Sequence, residues 1–376
     1  MTVAYLPQYE LEDTLGSRGP SEQRFVLPAA ATSFWHTERT TDVAIVEAHR
    51  IDILSPTGQF KRTLHAPLDT QGGRGVSSRP LRMPAGVTSH ARDLIISDTY
   101  NHRLLRLRAA DGRPLANATH GRVHFGAPLT QLRFPRGVAT IVHEWPPHGE
   151  IPFVYVADSA NHRVCAFALA PSLPSIGSTP TISLPGPIAT ARDASMVPIM
   201  TFGGFGPATD PAAMDMPSAV AVARMADGTP SGAPIRIFIA DTNHDRVQEW
   251  AFSRATTVFV HVRNLGASGD APGLFRRPVG LALLLGPRAT HESSRLFVTE
   301  RTGGRAQVFT ASGRHLQILT PPLPGALGGV TIARRPHTEA AYDDHRLILV
   351  GRERNALFVY RRQRAPPPRF EHPTRG

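Results

Sequence analysis

A six-residue polar stretch set between apolar runs occurs three times in this chain, and no other feature narrows the choice of folds as much. Asp98-Thr99-Tyr100-Asn101-His102-Arg103 lies between Leu94-Ile95-Ile96 and Leu104-Leu105-Arg106-Leu107. Asp158-Ser159-Ala160-Asn161-His162-Arg163 lies between Phe153-Val154-Tyr155-Val156 and Val164-Cys165-Ala166-Phe167. Asp241-Thr242-Asn243-His244-Asp245-Arg246 lies between Ile237-Phe238-Ile239 and Val247-Gln248-Glu249-Trp250. Each copy reads as strand, polar turn, strand. Recurrence at wide, similar spacing means a repeat architecture.

Partial copies extend the pattern. Glu47-Ala48-His49-Arg50 has Glu for Asp and a shortened turn; Glu300-Arg301-Thr302-Gly303-Gly304-Arg305 is degenerate; Gly351 stands at the Asp position after Leu347-Ile348-Leu349-Val350. Pro28, Pro84, Pro135, Pro217 and Pro278 open the units, the sixth beginning near Leu327-Gly328-Gly329-Val330. The expected units span 28–64, 83–125, 134–202, 216–265, 277–319 and 327–360. One interval is longer because it holds a Pro/Ser/Thr-rich segment at 171–193, read as a long loop. The sixth unit lacks an outer strand, and residues 9–15 are an outer strand without a unit. Leu15-Gly16 through Phe25 and Pro28 repeats the spacing of Leu265-Gly266 through Phe275 and Pro278. The N-terminal strand is therefore expected to complete the last unit. The expectation is an all-β, six-bladed β-propeller over 9–360, its ring closed by that strand, with a basic Pro-rich tail at 361–376.

Asp-x-x-Asn-His-Arg after an apolar strand, with Pro-x-Gly-Val leading into the next, resembles the NHL repeat over nearly the whole chain. Asp98/Asn101/His102/Arg103 and Asp158/Asn161/His162/Arg163 match well; the fourth unit keeps Asp241 and Arg246 but has His244 and Asp245 where the pattern has Asn and His. The resemblance implies six-bladed propellers. It leaves activity open, since NHL repeats occur in RNA-binding proteins, ubiquitin-ligase substrate modules, bacterial sensor domains and some enzymes.

Composition excludes several classes. The 376 residues are 41% hydrophobic with 35 Pro and 32 Gly, which suits many short strands joined by turns. No apolar run approaches the length of a membrane span, and the N-terminal stretch has neither a basic n-region nor an apolar h-region. Cys165 is the only cysteine, so disulfides and thiolate zinc sites are excluded and a reducing, cytoplasmic setting is expected. No cofactor or metal is expected. His143-Glu144-Trp145-Pro146-Pro147-His148 has the wrong spacing for H-E-x-x-H and two helix-breaking prolines, and no helix pattern follows Phe202-Gly203-Gly204-Phe205-Gly206. Propeller enzymes that use metals draw ligands from the inner strands at the tunnel mouth. The residues after each opening proline (Ala29, Ala85, Arg136, Ser218, Val279) bring no recurring His or carboxylate there. The chain is therefore expected not to be an enzyme, with a propeller hydrolase or lyase as the remote alternative.

The motif residues are read as structural. Asp is expected to accept hydrogen bonds from N–H groups of its own turn, with Arg reaching back to the carboxylate, one polar staple per blade. Ligand binding is sought elsewhere. Long segments at 143–152, 225–234, 286–295, 335–345 and 171–193 all fall on one face, where a protein could dock. With the strands of each blade lettered a to d from the axis outwards, the opposite face carries b–c turns and d–a crossings. It is dense in arginine: Arg79, Arg82, Arg133, Arg136, Arg276 and Arg277 in crossings, Arg301, Arg352 and Arg354 in turns. Arg79, Arg82, Arg136 and Arg276 are expected to ring the tunnel mouth. Phe134, Phe205 and Phe275 are either stacking partners for bases or blade core. The net charge of +11, with Lys61 the only lysine, reflects either a compositional habit or an acidic partner. The expected function is a monomeric, non-enzymatic platform for single-stranded RNA or an acidic protein surface. The alternative is a protein-interaction scaffold, such as a substrate-recognition subunit of a ubiquitin ligase.

Overall fold

The computed structural model describes residues 9–16, 25–37, 40–65, 80–115, 131–144, 150–169, 196–226, 234–253, 256–334 and 345–363. Strand β1 (Tyr9–Leu15) comes first in sequence. Blade 1 holds β2 (Ala30–Thr37), β3 (Thr40–Val46), β4 (Ile51–Leu54) and β5 (Phe60–Leu64). Blade 2 holds β6 (Gly86–His90), β7 (Asp93–Asp98) and β8 (Arg103–Arg108). Blade 3 holds β9 (Pro135–Glu144), β10 (Glu150–Asp158), β11 (Arg163–Leu169) and β12 (Met196–Phe202). Blade 4 holds β13 (Pro217–Arg224), β14 (Ile235–Asp241), β15 (Arg246–Ser253) and β16 (Val258–Leu265). Blade 5 holds β17 (Pro278–Leu284), β18 (Arg295–Glu300), β19 (Ala306–Thr310) and β20 (His315–Leu319). Blade 6 holds β21 (Leu327–Arg334), β22 (His345–Gly351) and β23 (Ala356–Arg362).

The six sheets make a six-bladed propeller, with β1 as the outer strand of the sheet ordered β1-β23-β22-β21. Blade 2 has three strands among the described residues; its expected outer strand lies outside them, as do most of the long segments and residues 364–376, while Arg361 and Arg362 of the expected tail extend β23 opposite Glu10 and Tyr9. Inner strands β2, β6, β9, β13, β17 and β21 pack side by side around the axis. They come close enough that the repeated Pro-x-Gly-Val has a steric reason. A Cβ on Gly86 would collide with the Arg136 carbonyl, and one on Gly137 with the Ala219 backbone. The hydrophobic core lies between blades. Phe153, Tyr155 and Ala166 of blade 3 meet Val220, Ile237 and Trp250 of blade 4 in one such layer. Cys165 lies in the layer between blades 2 and 3 with Ile95 and Leu104, and burial pushes its thiol well up in pKa, against reactivity.

Ring closure is specific. β1 runs antiparallel to β23 from Tyr9↔Arg362 to Leu15↔Leu357. Tyr9 is buried, its hydroxyl 2.8 Å from His345 Nε2 in blade 6. Its N–H donates to Gln317 Oε1 of blade 5 at 2.9 Å, and its carbonyl accepts from Gln317 Nε2 at 3.0 Å. Glu12 accepts from Arg346 at 2.5 and 3.0 Å. One strand thus seals blade 6 and ties it to blade 5. Deleting residues 1–16 should open the β23 edge and remove a large buried ring, whose loss alone typically costs ~3–5 kcal/mol. The expected result in a thermal melt is a large drop in Tm or aggregation; a truncated chain melting like the parent would refute this closure.

Candidate functional site

The candidate site lies on the face formed by the b–c turns and the crossings between blades, and the polar motif builds that face. In each full copy, Asp ends strand b and Arg begins strand c directly opposite: Asp98↔Arg103, Asp158↔Arg163, Asp241↔Arg246. Arg Nε donates to the carboxylate at 2.6, 2.9 and 2.9 Å. The degenerate fifth copy keeps the pair, Arg305 to Glu300 at 2.8 Å. These carboxylates are fully buried, so the pairing and its hydrogen bonds must offset desolvation.

The second carboxylate oxygen corrects the expected turn bond. It accepts from the backbone of the incoming crossing, not from its own turn. Arg82 N–H donates to Asp98 Oδ1 at 2.7 Å, Arg133 to Asp158 at 2.6 Å, Asp215 to Asp241 at 2.7 Å, Arg276 to Glu300 at 2.8 Å and Val26 to Glu47 at 2.6 Å. The same carboxylate therefore holds strand c and the chain entering strand a. Asn101 and Asn161 add a third tie, donating to Asp98 and Asp158 at 2.8 Å and to the crossing carbonyls of Pro80 and Gln131.

The motif His serves the next blade. His102 and His162 sit in the left-handed region at φ 52° and 54°. Their Nδ1 atoms accept from the N–H of Phe134 at 3.0 Å and Met216 at 3.2 Å, each the residue before the next opening proline. Burial, and then the charge of Arg133, lower the His102 pKa, in keeping with a neutral acceptor. In the fourth unit the two roles have exchanged residues. His244 Nδ1 lies 2.9 Å from Asp241 Oδ2, where Asn would donate, and Asp245 Oδ1 accepts from Arg277 N–H at 2.6 Å, where His would accept. Asn355 accepts from Leu27 N–H at 2.8 Å between blades 6 and 1. The residue after the carboxylate adds a hydroxyl stitch: Thr99 to the Pro135 carbonyl at 2.7 Å, Thr242 to Pro278 at 2.8 Å, and Ser159 to Pro217.

Blades 5 and 6 depart from this plan. Gly303 and Gly304 stand where blade 2 has Asn101 and His102, and the N–H of Ala326, at the pre-proline position, turns to Glu353 of its own blade at 3.0 Å. A groove of about 510 Å³ remains, lined by Arg301, Thr302, Gly303, Gly304, Thr320, Pro324, Gly325, Ala326 and Glu353. The position of the stitching hydroxyl is taken by Arg301 and Arg352, although the Thr299 hydroxyl, one residue before Glu300, donates to the Gly328 carbonyl of blade 6 at 2.5 Å.

The expected binding residues separate into groups. Arg79 lies outside the described residues. Arg276 is bonded to both Asp270 oxygens at 3.1 Å, which lowers the Asp270 pKa. Arg354 donates to the Pro324 carbonyl at 2.5 Å. Arg82 and Arg133 are exposed on the crossings, with Arg82 5.9 Å from the Tyr100 ring centre. Arg136, Arg277, Arg301 and Arg352 do converge. Arg136 is half-buried, and burial followed by the charges of Arg301, Arg352 and Arg277 lowers its pKa to about 10. Burial and the same neighbours lower that of Arg301. Phe275 is core, 1% exposed, and offers no stacking surface. Phe134 packs edge-on to His102, centroids 4.4 Å apart, while Phe205 is 73% exposed. Tyr100, 47% exposed and 5.3 Å from Phe134, is the aromatic that sequence reasoning missed. Its signal was an aromatic at a turn position filled by Ala160, Asn243, Thr302 and Glu353 in other units. Among the described residues no cluster of three or more His, Cys, Asp or Glu could hold a metal; His143 is buried 4.7 Å from Phe252, and 145–149 lies outside the described residues.

No family model matches the chain, and no curated protein does either. Among solved structures it is similar to an auxiliary nutrient binding protein from Bacteroides thetaiotaomicron (11% identity, TM-score 0.54, covering 96% of this chain and 78% of that one). A second auxiliary nutrient binding protein, from Bacteroides ovatus, matches at 10% identity and TM-score 0.54 over 96% of this chain and 78% of that one. A streptogramin B lyase matches at 11% identity and TM-score 0.45 over 95% of this chain and 88% of that one. At these identities the likeness concerns the fold.

Two outcomes test the geometry. Asp158→Ala should cost ~3–5 kcal/mol in denaturant unfolding, because it strands Arg163 and the Arg133 N–H. The Asp158→Ala/Arg163→Ala double variant should lose clearly less than the sum; additive losses would contradict direct pairing. Glu47 supplies the second test. Burial, and then its contact with Asp52, push its carboxyl up to about 8, so the folded state holds a proton that the unfolded state has released. Its share of stability is complete below the unfolded value of 4.5 and is lost as pH rises through about 8. Glu47→Gln should flatten the stability decline between about pH 4.5 and 8, read by urea midpoints; an unchanged slope would count against the protonated carboxyl.

Proposed function

We propose that the chain is an NHL-type propeller acting as a non-enzymatic binding platform in the cytoplasm, with single-stranded RNA bound across the turn face. One observation carries this reading: exposed rings alternate there with exposed cations. Tyr100 and Phe205 are exposed, Arg82 stands over the Tyr100 ring on the crossing into blade 2, and Arg133 stands on the crossing into blade 3, between the two aromatics in ring order. Stacking on an aromatic is tolerant of sequence, and arginine tracks the phosphates between successive bases. The cations at the mouth continue the same basic surface inwards.

A protein partner is the second reading, favoured by a separate feature. The outermost strand of blade 4, β16, exposes Val258 (50%), Val260 (51%) and Val262 (44%) on one side. An apolar edge strand of this kind suits strand addition by a partner.

Fluorescence anisotropy with a single-stranded oligoribonucleotide at several salt concentrations separates the two. Tyr100→Ala or Phe205→Ala should each weaken binding by about tenfold, in line with ~1–3 kcal/mol per stacked base. Arg82→Gln with Arg133→Gln should flatten the log–log salt dependence by about 0.7 for each phosphate that is no longer neutralised. If the unmodified chain does not bind at low salt, the protein-scaffold reading replaces this one.

A further inference from the structure

Three departures from the repeat converge on one point of the turn face. The residue after the opening proline is Arg136 in blade 3, against Ala29, Ala85, Ser218 and Val279 elsewhere. The residue after the turn carboxylate is a stitching hydroxyl in blades 2 to 4, but Arg301 in blade 5 and, after Gly351, Arg352 in blade 6. Although these arginines come from different blades, their charges act on one another, with Arg277 as a fourth. The only other group among the main influences on Arg136 is the Tyr100 phenol; no carboxylate is among them. Its buried Nε has no hydrogen-bond partner among the described residues. Two other arginines on this face are matched by carboxylates, Arg276 by Asp270 and Arg305 by Glu300. Arg136, Arg301 and Arg352 are half-buried, while Arg277 is exposed and donates to Asn243 Oδ1 at 3.1 Å. Like charges gathered in this way destabilise the empty fold, and an anion of two charges reverses the sign of that interaction.

The groove between blades 5 and 6 opens from the same point, since Arg301 lines it. At about 510 Å³ it falls within the range of small-ligand sites. It exists because Gly303, Gly304 and Ala326 replace the Asn, His and Phe found between blades 2 and 3. Thr302, Thr320 and Glu353 give it hydroxyls and a carboxylate, suited to the donors and acceptors of a sugar or base.

We propose that the Arg136–Arg277–Arg301–Arg352 cluster and the adjoining groove form a site for a phosphate monoester: the dianion at the arginines, the polar body it esterifies in the groove. The chemistry is the same for a free mononucleotide and for the 5′-phosphorylated end of an RNA strand. In its RNA form the proposal rests on the platform reading above; in its mononucleotide form it stands without it.

The experiment has three arms on the full chain. Anisotropy compares one oligoribonucleotide sequence bearing a 5′-phosphate or a 5′-hydroxyl. Thermal melts compare adenosine 5′-monophosphate with adenosine. Both are repeated on Arg136→Gln and Arg352→Gln. The expected result is at least tenfold tighter binding of the 5′-phosphorylated strand, a Tm raised by the monophosphate but not by adenosine, and loss of both effects in each variant. The ligand-free variants should melt no lower than the parent, because a repulsion has been relieved; this separates lost binding from lost folding. A monophosphate effect with equal binding of the two strands assigns the site to free phosphomonoesters and supports it. Equal strands together with no monophosphate effect overturn the site, and leave the platform standing if the strands still bind. Loss of both strands with a retained monophosphate effect overturns the platform and not the site.

Discussion

The structure depends on a buried carboxylate at the end of strand b. In blades 2, 3, 4 and 5 one of its oxygens holds the arginine that starts strand c, and the other holds the N–H of the chain arriving from the previous blade. Strands a, b and c are thereby fixed to one charge. A propeller blade has few local means of fixing where its inner strand begins, because the crossing that leads there is irregular. A charge-assisted bond to a buried acceptor supplies that fix. Once the crossing is pinned, the residue before proline can be held in the left-handed region in five blades, at φ 47° to 56°. Such strain of about 1–3 kcal/mol persists only where surroundings over-determine it.

Much of this was legible in the sequence, for a physical reason. The carboxylate and arginine face each other across a tight turn, so their separation in the chain is fixed and repeats. The ring closure was legible because Leu15 to Pro28 repeats the sequence spacing of Leu265 to Pro278. Partners fixed by the crossing were not legible, because they lie in neighbouring blades at variable distances along the chain. Hence the bond from Arg82 N–H to Asp98, or from Phe134 N–H to His102, could not be read from the motif. The fourth unit illustrates the limit. By residue type, His244 and Asp245 look like decay of Asn-His; in space they are an exchange of donor and acceptor that leaves both bonds in place.

The same limit applies to the arginine face. Counting arginines in crossings groups Arg276 with Arg136, since each adjoins an opening proline. Three positions in the repeat separate them. Arg276 precedes the left-handed residue and leans outwards to Asp270, whereas Arg136 follows the proline and starts the inner strand. Position within the repeat decides which charges meet, and net charge does not.

A repeat also makes its exceptions informative. Turn hydroxyls, with His or Asp beside them, join blades 2, 3 and 4 to the next, and Asn holds the crossing that enters its own blade; a chain selected only for stability would keep these ties in every blade. In blade 5, Arg301 stands in place of the stitching hydroxyl and Gly303 and Gly304 in place of Asn and His, while the Thr299 hydroxyl still donates to the Gly328 carbonyl of blade 6. Each replacement takes away a tie or adds a repulsion. The ring tolerates this because β1 closes blade 6 from outside and Tyr9 bridges to Gln317 of blade 5, so the junction weakened on the turn face is secured at its outer edge. Stability is thus supplied at the rim while the mouth carries the unmatched charge, the division expected where a site is built at the expense of the fold around it.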